Sequence, residues 1–258
     1  MRRSACRYIE KGKQLNQNIM AKVTDVFVSG SLGNLVFYRR MGRQCARIKR
    51  TQIAHSPAMK IRSANFGIAA RAGKSLRSGL TPSMPNATDR SMQSRFSGAI
   101  AKWLGTSQIH ELPSTDAVPY ISALEFTKEQ PVRQRFKVPL TISVPQPNVV
   151  TVSIDAFIPS KQIVAPAGTG LITLVISVSG CLLKTGESTG SETHTIDISY
   201  NDSAVAAQEL EFHVNTPPQS LVITAARLIY KRFEYNTWVE IKKEAFVPAG
   251  VIDARYLG

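Results

Sequence analysis

The residues of this 258-residue chain whose types could carry catalysis or bind a metal are four histidines, three cysteines and two glycine-rich runs. Their spacing argues against both uses. His55, His110, His194 and His213 lie far apart, and none forms the i, i+4 pair that puts two imidazoles on one helix face for zinc. His194 and Asp197 fall on opposite sides of a strand, which leaves no general acid–base dyad. His213 alternates with Glu209 and Glu211 and reads as a solvated strand residue. Gly30-Ser31-Leu32-Gly33 is not a nucleophile elbow, because its serine stands one position early. Gly180-Cys181-Leu182-Leu183-Lys184-Thr185-Gly186 holds the letters of a phosphate loop in the wrong order. Cys6, Cys45 and Cys181 are odd in number and widely spaced, so they read as ordinary thiols and not as a disulfide framework or a zinc ribbon. The chain therefore reads as a non-enzyme with no catalytic residue, no metal and no cofactor.

The stronger chemical signal is charge. In residues 1–104, 20 Lys or Arg face only Glu10, Asp25 and Asp89, a net +17, whereas residues 105–258 hold 12 basic and 15 acidic residues, a net −3. Such a field attracts polyanions by counterion release without reading sequence. The side chains placed to grip phosphate are Arg39, Arg40, Arg43, Arg47, Lys49 and Arg50, with Arg71 and Lys74 further along. Two other readings use the same residues. Basic faces keep a protein soluble and guard exposed strand edges, and they also dock acidic protein partners.

Three strands and two helices must position these cations. Between Lys22 and Arg50, apolar runs at Val26–Val28, Leu35–Tyr38 and Cys45–Ile48 are split by the turn-rich Ser29–Asn34 and by Met41-Gly42, which predicts a three-stranded basic meander. Ser56-Pro57 is a helix start, with serine as cap and proline where its missing donor costs nothing. The helix is predicted to reach about Leu80, with Phe66, Ala69, Gly73, Leu76 and Leu80 on its apolar face. Thr81–Asn86 breaks it, and Thr88 or Asp89 caps a second helix to about Leu104 whose face is Met92, Phe96, Ala99, Ile100 and Trp103. The two form an antiparallel hairpin packed on itself or on the small sheet. Trp103 reads as core rather than as a base-stacking platform.

After Gly105 the hydrophobic period changes to two. Phe136, Val138, Leu140, Ile142 and Val144 share one face of a strand, and Val150 to Ile158 repeat the alternation. Further strands are read at Tyr120–Phe126, Leu171–Val178, His194–Tyr200, Glu209–Val214, Leu221–Tyr230, Trp238–Ala245 and Val251–Leu257. The expected fold class is α+β: a small basic β-meander plus helical hairpin, then an antiparallel immunoglobulin-like β-sandwich. The expected divisions are a disordered leader over 1–19, the basic hairpin and two-helix region over 20–105, and the sandwich over 106–258. Translation could start at Met1 or at Met20.

At 43% hydrophobic and 19% charged residues the chain can bury enough apolar surface to fold. Its longest apolar run, Leu171 to Val178, is too short to span a bilayer, and no apolar signal core follows the basic start, so a cytoplasmic location is expected. The segment Gly30-Ser31-Leu32-Gly33-Asn34-Leu35-Val36-Phe37-Tyr38, then Gly42 and Arg47, then a helix with Phe66-Gly67, Ala70, Gly73 and Leu76-Arg77, resembles the N-terminal part of uncharacterised bacterial protein families. Those families open with a Gly-x-x-Gly-Asn-x-Val-Phe-Tyr hairpin, and the resemblance covers about residues 25–80. It implies a non-enzymatic accessory or mobile-element-associated protein and brings no functional residue with it. The reading that follows is a binding or structural module, with an unknown protein partner or assembly, self-association through strand edges, or nucleic acid as candidate partners. A carbohydrate- or peptide-binding sandwich is a third reading, and it requires Trp238, Tyr230 and Tyr235 to be exposed together.

Overall fold

The computed structural model describes residues 21–24, 27–49, 56–85, 91–106, 118–127, 130–241 and 247–258. The expected leader over 1–19, the caps Thr88 and Asp89, and Cys6, Arg50, His55 and His110 lie outside the described residues. The chain divides into two compact units, Met1–Ser56 and Pro57–Gly258.

The first unit is an antiparallel sheet in chain order, β1 (Ala21–Thr24), β2 (Phe27–Leu32), β3 (Leu35–Arg40) and β4 (Arg43–Ile48). It has four strands rather than the expected three, because Ala21–Thr24 forms a further strand paired with β2, and Ser29–Leu32 continues β2 instead of turning. Gly30 allows this by adopting φ 114°, a conformation open to glycine, and pairs with Ala21 on one side and Phe37 on the other. Turns at Gly33-Asn34 and Met41-Gly42 join β2 to β3 and β3 to β4. Met41 (φ 49°) and Gly42 (φ 81°) are both left-handed, as a tight hairpin between twisted strands demands.

The second unit has three layers. Helices α1 (Pro57–Gly79) and α2 (Met92–Thr106) lie on one face of a five-stranded antiparallel sheet, and a three-stranded sheet lies on the other. The strands are β5 (Leu140–Gln146), β6 (Val149–Ile154), β7 (Leu171–Leu182), β8 (Ser188–Ser199), β9 (Gln208–His213), β10 (Ser220–Glu234), β11 (Thr237–Glu240) and β12 (Ala249–Leu257). The large sheet runs β11-β10-β7-β8, with β12 beside the first half of β10, and the small one runs β5-β6-β9. All pairings are antiparallel, and the two sheets close over a shared core that includes Phe136, Val152, Ile172, Leu174, Ile176, Phe212 and Leu228. This is an α+β, sandwich-like architecture.

The period-two pattern explains the layering. Along β7, Ile172, Leu174, Ile176 and Val178 face the small sheet, while Val175, Ser177, Ser179 and Cys181 face the helices. A strand covered on both sides reads as a nearly unbroken apolar run, which is how Leu171–Val178 appears in the sequence. Ser177 tolerates burial because its hydroxyl bonds Ser83 Oγ at 2.7 Å and Thr193 Oγ1 at 2.8 Å. Helices α1 and α2 pack antiparallel, as Asn65 Nδ2 donating to Leu104 O at one end and Arg77 to Ser97 Oγ at the other show. At their contact a β-carbon on Gly73 would lie 3.0 Å from Ser97 Oγ, so glycine sets the helix spacing.

Several expectations are corrected here. The charge step at residue 105 is not a structural boundary: α1 and α2 share one core with Cys181, Leu221, Ile223, Val251 and Tyr256. Helices that are basic outside and apolar inside belong to the layered unit despite their charge. Their hairpin, expected to pack on itself or on the small sheet, shares its core with β7, β10 and β12 of the large sheet. Phe66, expected on the buried face of α1, is 59% exposed, and the buried stripe is Ala69, Ala72, Gly73 and Leu76. Tyr120–Phe126 is not a strand. Pro119 starts a helical turn over Pro119–Ser122, after which Glu125 makes one bridge to Gly250. Likewise Val132–Arg135 is a helical turn, and Phe136 bridges to Ile163 before β5 begins at Leu140. Trp103 is buried, edge-on to Tyr256 with ring centres 5.4 Å apart.

Candidate polyanion-binding surfaces

The cations singled out in the sequence form two separate groups, one in each unit. In the first, cross-strand register sorts the side chains between the faces of the β1–β4 sheet. Arg40 pairs with Arg43, Tyr38 with Cys45 and Val36 with Arg47, and directly paired residues project to the same side. Arg40, Arg43 and Arg47 therefore stand on one face, and Lys49, whose amide donates to Asn34 O, continues the same parity. Like charges set directly opposite, as Arg40 and Arg43 are, repel and cost stability unless an anion lies between them.

Arg39 belongs to the other face, paired with Gln44. Its guanidinium lies over the Phe27 ring, 4.3 Å from the centroid, and the Gln44 amide donates to Val28 O at 2.7 Å and accepts from Val28 N at 3.2 Å. The same face carries Leu32, Leu35, Phe37 and Ile48. One face thus carries Arg40, Arg43, Arg47 and Lys49 around Val36, Tyr38 and Cys45, and the other is mainly apolar apart from Arg39 and Gln44. None of its described residues 27–49 is buried, and Leu32, Leu35 and Ile48 are 53%, 42% and 74% exposed. No Asp or Glu occurs between Phe27 and Lys49 to neutralise the cations.

In the second unit, Arg71 and Lys74 project from α1 into a groove of about 490 Å³ formed with the β7–β8 turn. Hydroxyl residues complete it: Ser75 and Ser78 from α1, Thr185, Ser188 and Ser191 from the hairpin. Sequence reading picked out Arg71 and Lys74 but not these hydroxyls. The available signal was the i, i+3, i+4, i+7 spacing of Arg71, Lys74, Ser75 and Ser78, which aligns them on one helical stripe.

The remaining chemical candidates are dispersed. Cys181 is fully buried, and burial pushes its thiol up to about 12, which keeps it protonated and unreactive at neutral pH. His194 packs edge-on to Phe212, 4.7 Å between ring centres, and contacts Glu192 at 3.2 Å. Asp197, on the opposite face of β8, bonds Thr173. His213 is exposed at the end of β9. Among the described residues, no three His, Cys, Asp or Glu side chains gather closely enough to hold a metal ion. Tyr230 is buried with its hydroxyl on Val164 O, while Tyr235 and Trp238 are 97% and 44% exposed on the β10–β11 hairpin. The three aromatics are thus not exposed together. Among the described residues no helix is long and apolar enough to cross a membrane.

The fold and surfaces define an α+β protein with a basic sheet preceding a helix-covered sandwich. No protein-family model, curated protein or solved structure matches the chain.

Proposed function

We propose that the protein is a non-enzymatic binding module that docks through the β1–β4 sheet, its basic face engaging the phosphates of a nucleic acid. The observation carrying this reading is the segregation of Arg40, Arg43, Arg47 and Lys49 to one side of a sheet that has no acidic residue over 27–49. Four of the five cations over 27–49 share that face, and the fifth, Arg39, lies on the other with its guanidinium over Phe27. Contacts of this kind grip backbone charge and carry no base sequence, so binding is strong at low salt and indifferent to sequence. A cytoplasmic location and a mobile-element or accessory role belong to the same reading, as does the immunoglobulin-like character of the sandwich.

A second reading draws on the opposite face. A sheet needs its apolar side covered to be stable on its own, and Leu32, Leu35 and Ile48 stay exposed. A protein partner or a larger assembly on that face would supply the cover, leaving the cations outward. The two readings are compatible in one adaptor.

The test of the first is fluorescence anisotropy of a labelled duplex titrated with the full chain at rising salt. With four phosphates neutralised, log affinity should fall against log salt with a slope near −3.6, about −0.9 per contact. Absence of binding at low salt would remove the reading.

A further inference from the structure

The groove between α1 and the β7–β8 turn is independent of the β1–β4 sheet and has a construction of its own. Two glycine contacts pin the helix to the hairpin at either end of it. At Gly186 (φ 76°), a β-carbon would meet Arg71 Cβ at 2.7 Å, so the turn backbone lies directly against the helix. At Gly79, a β-carbon would meet Ser191 Cβ at 2.7 Å, so the helix end lies directly against β8. Between these contacts the elements part, and the stripe Arg71, Lys74, Ser75 and Ser78 faces Thr185, Ser188 and Ser191 across the gap.

Every polar side chain lining the groove can donate a hydrogen bond, and two carry positive charge. No carboxylate is among the lining residues, although Glu187 stands in the same turn. Arg71 is steered by a weak contact from its guanidinium to Lys184 O at 3.5 Å. The side chains of Lys74, Ser75, Ser78 and Ser191 make no hydrogen bond among the described residues, which leaves their donors available. A helix C-terminus is unfavourable for anions, but three of the last four carbonyls of α1 are occupied, leaving that of Gly79: Thr81 Oγ1 donates to Ser78 O at 2.9 Å and to Arg77 O at 3.2 Å, and Leu80 N donates to Leu76 O. What remains is a concave set of donors without an acceptor of equal strength.

We propose that this groove binds a phosphoryl group, with Arg71 and Lys74 supplying the charge and the serine and threonine hydroxyls supplying directional donors. A phosphoryl group, whose tetrahedrally arranged oxygens accept from several donors at once, fits the set better than a planar carboxylate. The group could be free phosphate or one phosphodiester of a nucleic-acid backbone, which carries a single charge; both present anionic non-bridging oxygens to the same donors.

The test uses the full chain and calorimetric titration with inorganic phosphate at low ionic strength, beside a parallel titration with a short single-stranded oligonucleotide. The expected result is saturable binding of one phosphate below about 10 mM, weakened at least about fivefold by Arg71→Gln or Lys74→Gln. Arg62→Gln, an exposed change on the same helix away from the groove, should leave it unchanged. Because Arg71 and Lys74 are exposed, these variants should fold normally, which their melting temperatures would check. Phosphate binding sensitive to both groove variants supports a small-ligand site, and oligonucleotide binding alone sensitive to them supports a backbone-phosphate site. No saturable binding of either probe, or binding that both variants leave unchanged, overturns the proposal. Variants of Arg40, Arg43 and Arg47 should leave phosphate binding in the groove intact, so this proposal can fail while the sheet reading stands, and the reverse.

Discussion

The carboxylate of Glu125 lies over the bare Cα of Gly250, so closely that a β-carbon on Gly250 would come within 2.8 Å of Glu125 Cδ. Around that contact, Glu125 accepts from Val132 N at 3.1 Å, Val251 N donates to Leu124 O, and Arg95 donates to Glu125 O at 2.8 Å. One glycine thus lets the segment between α2 and β5 sit directly on β12. Gly250→Ala should force these elements apart and lower stability by about 1–3 kcal/mol, the usual cost of overpacking. Thermal or denaturant unfolding would measure it, with Gly98→Ala, in open space on the exposed side of α2, as a change that does not destabilise.

Burial holds the Glu125 carboxyl above its usual pKa, opposed by the Val132 amide and by the charges of Arg133 and Arg95. For an acid whose pKa is higher folded than unfolded, the stabilisation is complete below the unfolded pKa and is lost as pH rises through the folded one. Wild-type stability should therefore gain on acidification in that window from this one group. Glu125→Gln keeps an oxygen acceptor for Val132 N and should flatten the trend without lowering stability at neutral pH. Unfolding of the two proteins across the acidic range would show whether the difference closes as pH falls.

Arg227 stands on β10 among buried residues, 9% exposed, donating to Met84 O at 3.1 Å and pairing with Glu240 on β11 at 3.5 Å. It ties the connection after α1 to the edge of the sheet. Arg227→Ala should cost about 2–4 kcal/mol, through lost packing and an orphaned carbonyl. Glu240→Gln, on the exposed side of the pair, should cost under about 1 kcal/mol.

Cys181 should resist alkylation in the native protein and react only on unfolding, because its thiol is both buried and held protonated. Mass-spectrometric mapping of maleimide labelling, with and without denaturant, would check this. Cys45 is partly exposed on β4 and should label in the native state.

What the sequence made legible follows from how local each signal is. Ser56-Pro57 placed the start of α1 at Pro57, and the period-two runs located β6, β7, β9, β10 and β12 to within a few residues. Register in the first sheet followed from the Met41-Gly42 turn. The helices' partner was not legible, because an apolar stripe on α1 says that something covers it and not what. Nor could charge reveal the division after Ser56: Arg62, Arg71 and Lys74 continue the basic run across it on exposed helix positions. Ser29-Gly30-Ser31 has a turn's composition but lies within a strand, with Gly30 at φ 114°. The groove hydroxyls were hidden for a different reason, since Ser75 and Ser188 are 113 positions apart and only the packing of α1 on the hairpin joins them.

The central claim is that the β1–β4 sheet docks through one face, and comparing the two faces tests it most directly. Duplex affinity should be measured over a range of salt for the wild type, for Arg40→Gln/Arg43→Gln/Arg47→Gln, and for Leu35→Ser/Ile48→Ser. The account predicts that the arginine triple variant loses affinity at low salt and flattens the salt slope by about 2.7, three contacts at about 0.9 each, while the apolar variant keeps wild-type binding. Equal binding by the wild type and the arginine variant, with the same slope, would contradict it.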